Sequence, residues 1–395
     1  MKSREEYRTL RDGCFLGVGM VAGTPPPDGS GYVIRLSANS LGFQCGVHSN
    51  LTNETSTMSS PIEVLIFGAG AVGAFYGSRL AQAPNVKVSC VCRSNYKAVA
   101  SNGFSVSSPQ YGDYKWKPTR VFANPKEAEA SGVKWEYIVV STKALPDVSD
   151  DSKQLEGLVH DKTAVVLIQN GLGVEDAYAK RFPSASILSA VTVVSAAQEQ
   201  HGEIKHNRWT RINIGPYLPD SASLNSSDAE QRNNKFAQLL QQGGVKDAEA
   251  YTHAKLQLVR WHKLAINASM NPSSVLSNGS TNAEMAKDDE LSRHLAGVMA
   301  EILTTAPKII GHDFPPEFAR ADKLLASTRK NTSGSRPSMW LDWEAGKKME
   351  LEVILGNPIR IAREKGYEMP RLQTLYALVK MAQTNRDKQQ AKAKL

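Results

Sequence analysis

The sequence predicts an α/β protein in which a sheet domain with helices on its faces is followed by an all-helical domain. Three observations predict it. Short apolar strands recur from Ile62 onward, separated by crossover-length segments, the pattern of a parallel sheet. The first of them runs directly into a glycine-rich turn and a helix. Beyond about residue 254 the strand pattern fades and long helical patterns take over.

The bulk properties agree with that class. A chain of 395 residues is long enough for two or three domains with a substantial core, and 41% hydrophobic with 22% charged residues is ordinary globular composition. The longest apolar-leaning run, "ILSAVTVVSAA" at 187–197, falls well short of the ~20 residues a spanning helix needs, so no membrane span is expected. The net charge of +8 is spread along the chain, apart from the closing "RDKQQAKAKL". No basic stripe with interleaved aromatics calls for nucleic acid, whereas excess positive charge suits anionic ligands. Cys14, Cys45, Cys90 and Cys92 give neither a disulfide framework nor a zinc spacing, which points to a reducing compartment and no metal.

Residues 1–60 are turn-rich, polar and without a sustained period. They are expected to form a disordered N-terminal extension, or to reflect start-site choice, with the functional domain beginning near Met58. Glu5, Glu6 and Asp12 argue against a transit peptide, and no long apolar core marks a secretory signal. The expected location is the cytoplasm, with mitochondrial targeting through the extension as the alternative.

Taken in order, "IEVLIF" is the first strand, followed by the glycine turn and a helix through "AFYGSRLAQA". "VKVSCVC", "EYIVVST" and "TAVVLIQ" are further strands. After "TRINIGPY", the stretch "LPDSASLNSSDAEQRNN" reads as an exposed loop. Helical patterns then cover 255–270, 283–311, 338–365 and 371–384. The expected division is 61–253 for the sheet domain and 254–395 for the helical domain with its basic tail.

"VLIFGAGAVGAFYG" places Gly68, Gly70 and Gly73 in the G-x-G-x-x-G spacing between strand and helix, with Ala69, Ala71 and Val72 completing the turn. In a Rossmann dinucleotide-binding domain the first glycine permits the tight turn, the second admits the pyrophosphate and the third lets helix and strand pack closely. The helix N-terminus then offers free N–H groups to the phosphates. About 20 residues on, where an NAD site usually carries a carboxylate, this chain has Arg93, with Lys97 nearby. A guanidinium can pair with a 2′-phosphate, so NADP(H) is the expected cofactor.

Lys143 follows the strand "WEYIVVSTKA" and Asn170 follows "VVLIQ", both at carboxyl ends of strands, where ligands of open α/β sheets bind. In "RWHKLAINASMNP", Lys263, Asn267 and Asn271 stand four residues apart on one helix face. Asparagine is a poor helix former, so the triplet reads as a lining rather than a wet surface.

Together these motifs resemble the ketopantoate reductase (2-dehydropantoate 2-reductase) family of the 6-phosphogluconate dehydrogenase-like group. The resemblance covers roughly residues 62–384 and rests on "GAGAVGAFYG", "VVSTKA", "QNGLG", "WHKLAINASMNP" and "RPSMWLDWEAGKKMELEVILG". It implies NADPH-dependent reduction of ketopantoate to pantoate in pantothenate and coenzyme A biosynthesis, with the active site in a cleft between the two domains. The family's catalytic lysine falls on Lys263, its substrate-contacting asparagines on Asn267 and Asn271, and its paired serine and glutamate on Ser338 and Glu350. Lys143 and Asn170 match cofactor- and substrate-facing positions. By residue type alone, Ser338 also reads as a helix N-cap, and Glu350 as a solvated helix position in "KKMELE". The chain departs from the family in "QNG", where a histidine commonly precedes the asparagine, in its extension and in a longer polar insertion at 218–234.

Lys263 as an ammonium suits stabilising and protonating the oxygen of a reduced ketone. Glu350 would hold it charged and oriented, and the asparagine amides and Ser338 would bind the substrate's hydroxyl, carbonyl and carboxylate groups. The implied partner is a small keto acid, with the protein a monomer or homodimer. The alternatives are reduction of a different keto substrate in a secondary-metabolite pathway, and a non-catalytic NADPH-binding protein.

Overall fold

The computed structural model describes residues 60–218 and 226–393. The expected disordered extension therefore lies outside the described residues except for Ser60, and Cys14 and Cys45 lie outside them too. Strands β1 (Ile62–Phe67), β2 (Val86–Val91), β3 (Phe104–Ser107), β4 (Tyr114–Trp116), β5 (Val121–Phe122), β6 (Tyr137–Val140), β7 (Ala164–Leu167), β8 (Ser186–Gln200), β9 (Glu203–Pro216) and β10 (Ala248–Ala250) form one sheet. Its order is β4-β3-β9-β8-β7-β6-β1-β2-β5, with β10 added beside β9. Helices α1 (Ala71–Leu80), α2 (Tyr96–Asn102), α3 (Pro125–Ala130), α4 (Asp176–Arg181) and α5 (Ser226–Gln242) accompany these strands.

Side-chain alternation explains how the sheet is covered on both faces. Val64 and Ile66 of β1, Val139 of β6 and Val166 of β7 point to the face packed by Phe75 and Leu80 of α1 and Phe236 and Leu240 of α5. Leu65 and Phe67, Ile138 and Val140, and Val165 and Leu167 point to the opposite face, against Leu155, Leu158 and Tyr178. The strands from β5 to β8 are parallel, as expected. The sheet as a whole is mixed, however, because β8 and β9 pair antiparallel, as do β3 and β4. The turn His201–Gly202, with Gly202 at φ +87°, joins β8 to β9 and needs no crossover.

The helical domain comprises α6 (His253–Leu276), α7 (Asn282–Lys287), α8 (Asp289–Ile310), α9 (Ala321–Arg329), α10 (Ser338–Glu344), α11 (Asn357–Glu364) and α12 (Pro370–Lys392). Thr252 caps α6, its hydroxyl accepting from the Lys255 N–H. Trp261, Leu264 and Ala268 of α6 pack with Leu295, Met299 and Ile302 of α8 and with Leu372 and Leu375 of α12.

Three expectations need correction. The stretch 218–234 is not all loop, because from Ser226 it belongs to α5, whose later apolar residues anchor it in the sheet core. The pattern 283–311 is two helices, since Asp288 ends α7 and caps α8, accepting from the Leu291 N–H at 2.8 Å. The pattern 338–365 is not one helix either. Gly346 at φ +66° closes α10, residues 347–350 belong to no helix or strand, and a wide turn at Glu352–Gly356 precedes α11. Glu350 is therefore not on a solvated helix and is only 7% exposed. Among the described residues no helix is long and apolar enough to cross a membrane, and no group of three or more His, Cys, Asp or Glu could hold a metal.

Candidate active site

β1 lies between β6 and β2, so the order of the sheet reverses at its carboxyl end, the place where open α/β sheets bind ligands. Each motif glycine is constrained differently there. Gly68 has φ +98°, and a Cβ on it would lie 2.7 Å from Thr142 Cγ2. A Cβ on Gly73 would collide with Ser141 Oγ and lie 2.6 Å from the Gly68 carbonyl, so this glycine sets how closely α1 packs. Gly70 has no heavy atom within 4 Å of where its Cβ would be. That open space, in front of an α1 N-terminus with no side-chain cap and no acid in its first turn, fits a pyrophosphate. Asn95 holds the turn in shape, its Nδ2 donating to the Ala69 carbonyl at 2.8 Å.

The cleft in front of the turn measures ≈ 570 Å³, and both domains line it. Gly68 to Val72, Arg93, Lys143 and Asn170 come from the sheet domain; Ser338, Lys347, Lys348 and Glu350 come from the helical domain. Arg93 is exposed at the rim, 4.0 Å from Asp151. Lys143 pairs with Asp342 of α10 across the cleft. Burial pushes Lys143 below the usual lysine value, with Glu350 opposing the shift and Lys347 adding to it.

Beside the cleft is a small cavity lined by Gln169, Asn170, Val191, Arg260, Lys263 and Asn267. Lys263 Nζ donates to Asn170 Oδ1 at 3.0 Å, and Asn170 Nδ2 donates to Glu350 Oε2 at 3.3 Å. Glu350 Oε1 accepts from the Ala144 N–H at 3.2 Å. The carboxylate thus reaches Lys263 through Asn170. Burial pushes Lys263 down to about 8, the Arg260 charge contributing and the Glu350 charge opposing. The turn carrying Asn170 is docked on the helical domain, with the Leu172 N–H on the Val353 carbonyl at 2.8 Å.

The other expected residues are placed as follows. Asn267 lines the small cavity with Lys263. Asn271 is 5% exposed, lines neither space, and its Nδ2 has no hydrogen-bond partner. Ser338 is the first residue of α10 and makes no capping bond, since Pro337 occupies the cap; its exposed side chain lines the cleft. Lys97 is exposed on α2 and lines neither space. Asn95, Gln169, Asp342, Lys347 and Arg260 were missed from sequence. The signal for Asp342 was a lone carboxylate between two tryptophans in "MWLDWE", and for Asn95 its place just past the second strand.

Known proteins resemble most of this chain, across both the sheet domain and the helical domain. The family model described as "Ketopantoate reductase PanE/ApbA" matches residues 64–219, and that of its C-terminal part matches residues 255–383. The solved structure of a 2-dehydropantoate 2-reductase from Methylococcus capsulatus is 31% identical, with a TM-score of 0.70 over 82% of this chain and 97% of that one. A 2-dehydropantoate 2-reductase of Nostoc sp. is 29% identical over 80% of this chain and 93% of its own length. An uncharacterized protein of Saccharomyces cerevisiae is 30% identical over 81% of this chain and 93% of its own length. The shared pattern runs through both the glycine-turn domain and the helical domain that supplies Lys263 and Glu350, and the chain belongs to the ketopantoate reductase family of oxidoreductases.

Proposed function

We propose that the protein reduces a 2-keto acid to the 2-hydroxy acid with NADPH, and that the substrate is ketopantoate, the product pantoate. The observation that carries this reading is the Lys263–Asn170–Glu350 chain, set beside a glycine turn whose open side fits a dinucleotide. The named reductases among its relatives support the substrate.

In this reading residues 61–253 hold the cofactor and residues 254–395 supply most of the substrate contacts. Gly68 to Gly73 would hold the pyrophosphate, Arg93 the 2′-phosphate, and Lys143 a further anionic group, with Lys97 adding positive charge behind the rim. When bound, the nicotinamide supplies a hydride for the keto carbon. Lys263 holds a proton on Nζ, stabilises negative charge on the substrate oxygen and then protonates it. A lysine held near 8 gives that proton up more readily than one at its ordinary value. Asn170 orients the ammonium, and Glu350 steadies it through Asn170. Asn267, which lines the cavity with Lys263, offers its amide to the substrate's hydroxyl and carbonyl groups; Asn271, one turn further on and outside both spaces, keeps an unpartnered Nδ2 that a substrate reaching past Asn267 would satisfy. Ser338 offers a hydroxyl at the mouth of the cleft.

The test follows oxidation of NADPH, with NADH in parallel, against ketopantoate and a panel of bulkier 2-keto acids. Turnover with NADPH and ketopantoate is expected. Turnover only with another keto acid would move the substrate within the same chemistry, and failure to bind either nucleotide would overturn the reading.

A further inference from the structure

One turn before Lys263, the same helix carries a buried arginine that the chemistry above does not use. Arg260 is 3% exposed. One terminal nitrogen donates to the carbonyls of Gln169 at 3.0 Å and Gly171 at 2.9 Å, the two residues that flank Asn170. The other donates to the Ala190 carbonyl at 3.2 Å and to Ser189 Oγ. Its Nε lies 3.3 Å from Glu175 Oε1, on a side chain only 2% exposed, and that oxygen also accepts from Ser189 Oγ. A single guanidinium thus ties the Asn170 turn, strand β8 and the start of α4 to the helix that carries Lys263.

We propose that Arg260 is a positioning residue for the reaction, its fork fixing the Gln169–Gly171 turn so that Asn170 stands between Lys263 and Glu350, and its charge standing beside Lys263. This rests on the keto-acid reductase reading. Stability alone does not call for such a group, because buried ion pairs are often matched or exceeded by apolar packing of similar volume. The requirement is geometric: two carbonyls on either side of one residue need a rigid, multi-donor fork, which arginine has and lysine lacks. The charge has its own effect. The charged groups acting on Lys263 are Arg260 from its own helix and Glu350 from the segment between α10 and α11, while Asn170 is neutral. Burial and Arg260 both favour loss of the lysine proton, and Glu350 disfavours it.

Two variants separate geometry from charge. Arg260→Lys keeps the charge and loses the fork; Arg260→Met with Glu175→Gln removes the charge without stranding a buried carboxylate. Each is measured for kcat and KM with NADPH and keto acid, and for the Lys263 titration by NMR of lysine-labelled protein, with Lys263→Arg identifying the signal. Arg260→Lys is expected to lower kcat about tenfold or more, with NADPH affinity and the Lys263 midpoint unchanged. The double variant is expected to raise the midpoint towards the ordinary lysine value. Wild-type kcat in Arg260→Lys would overturn the positioning role, and an unmoved midpoint in the double variant would overturn the role of the charge. Should the double variant not fold, Arg260→Lys still decides the positioning role, and Arg260→Gln with Glu175→Gln, again read by the Lys263 midpoint, decides the charge. If wild type turns over no keto acid, the reductase reading fails and the proposed role in its reaction with it, whereas a wild type that turns over beside an unaffected Arg260→Lys overturns this inference alone.

Discussion

Lys263 Nζ and Asn170 Oδ1 are 3.0 Å apart, which joins the long helix of the second domain to the turn after β7 of the first. Neither residue is in the other's domain, and the turn that carries Asn170 is held to the helical domain by the Leu172 N–H on the Val353 carbonyl and by the Arg260 fork. The acid of the proposed reaction is therefore assembled by domain packing, and the predictions test that assembly part by part.

The glycine turn separates folding from binding. Gly73→Ala places a methyl against Ser141 Oγ and the Gly68 carbonyl, so it should cost about 1–3 kcal/mol by overpacking. Gly70→Ala meets no atom within 4 Å, and Gly70 has φ −81°, which any residue adopts. It should leave the melting temperature near wild type while weakening NADPH binding about tenfold or more, because the methyl stands where the pyrophosphate would lie. Thermal unfolding and fluorescence titration of the two variants check both halves.

Arg93 stands exposed at the rim, held only loosely by Asp151 at 4.0 Å. Arg93→Ser should weaken NADPH binding by about tenfold to a hundredfold and leave NADH binding nearly unchanged, the range expected for losing charge-assisted bonds to a phosphate. Parallel titrations with both nucleotides give the ratio directly. An equal effect on the two would remove Arg93 from the 2′-phosphate.

Reduction needs Lys263 protonated, so kcat should fall as pH rises through about 8. The Glu350 charge raises the Lys263 value, so Glu350→Gln should move that fall to lower pH. A pH–rate profile of each protein, at saturating NADPH, shows the shift and its sign.

Lys263 also imposes a cost on the fold. Its folded value of about 8 lies below the ordinary 10.5, so the unfolded chain binds its proton more tightly. The cost is full below about pH 8, where both states are charged, and disappears above about pH 10.5, where neither is. Lys263→Met should therefore stabilise the protein at neutral pH, by at most roughly 3 kcal/mol, while abolishing most activity. Denaturant melts at pH 7 and pH 10 should show the gain shrinking as pH rises.

Much of this was legible in the sequence because the signals are local. Strand, glycine turn and helix are contiguous from Ile62 to Leu80, and their φ and packing demands act over a few residues. The spacing of Lys263, Asn267 and Asn271 follows from helical geometry alone. What was not legible depends on contacts between distant segments. The link from Glu350 to Lys263 runs through Asn170, 180 residues before Glu350, and no period or composition encodes it. The Arg260 fork likewise joins positions 70 to 91 residues apart. The failed reading of 338–365 as one helix has a local cause, since Gly346 takes a left-handed conformation where a helical pattern hides it.

The most direct measurement compares wild type with Lys263→Ala in NADPH oxidation with ketopantoate, with NADPH binding measured on both. The prediction is rapid turnover by wild type, at least about a hundredfold less by the variant, and NADPH affinities within about twofold of each other. A variant as fast as wild type, or a wild type that binds NADPH and reduces no 2-keto acid, would contradict it.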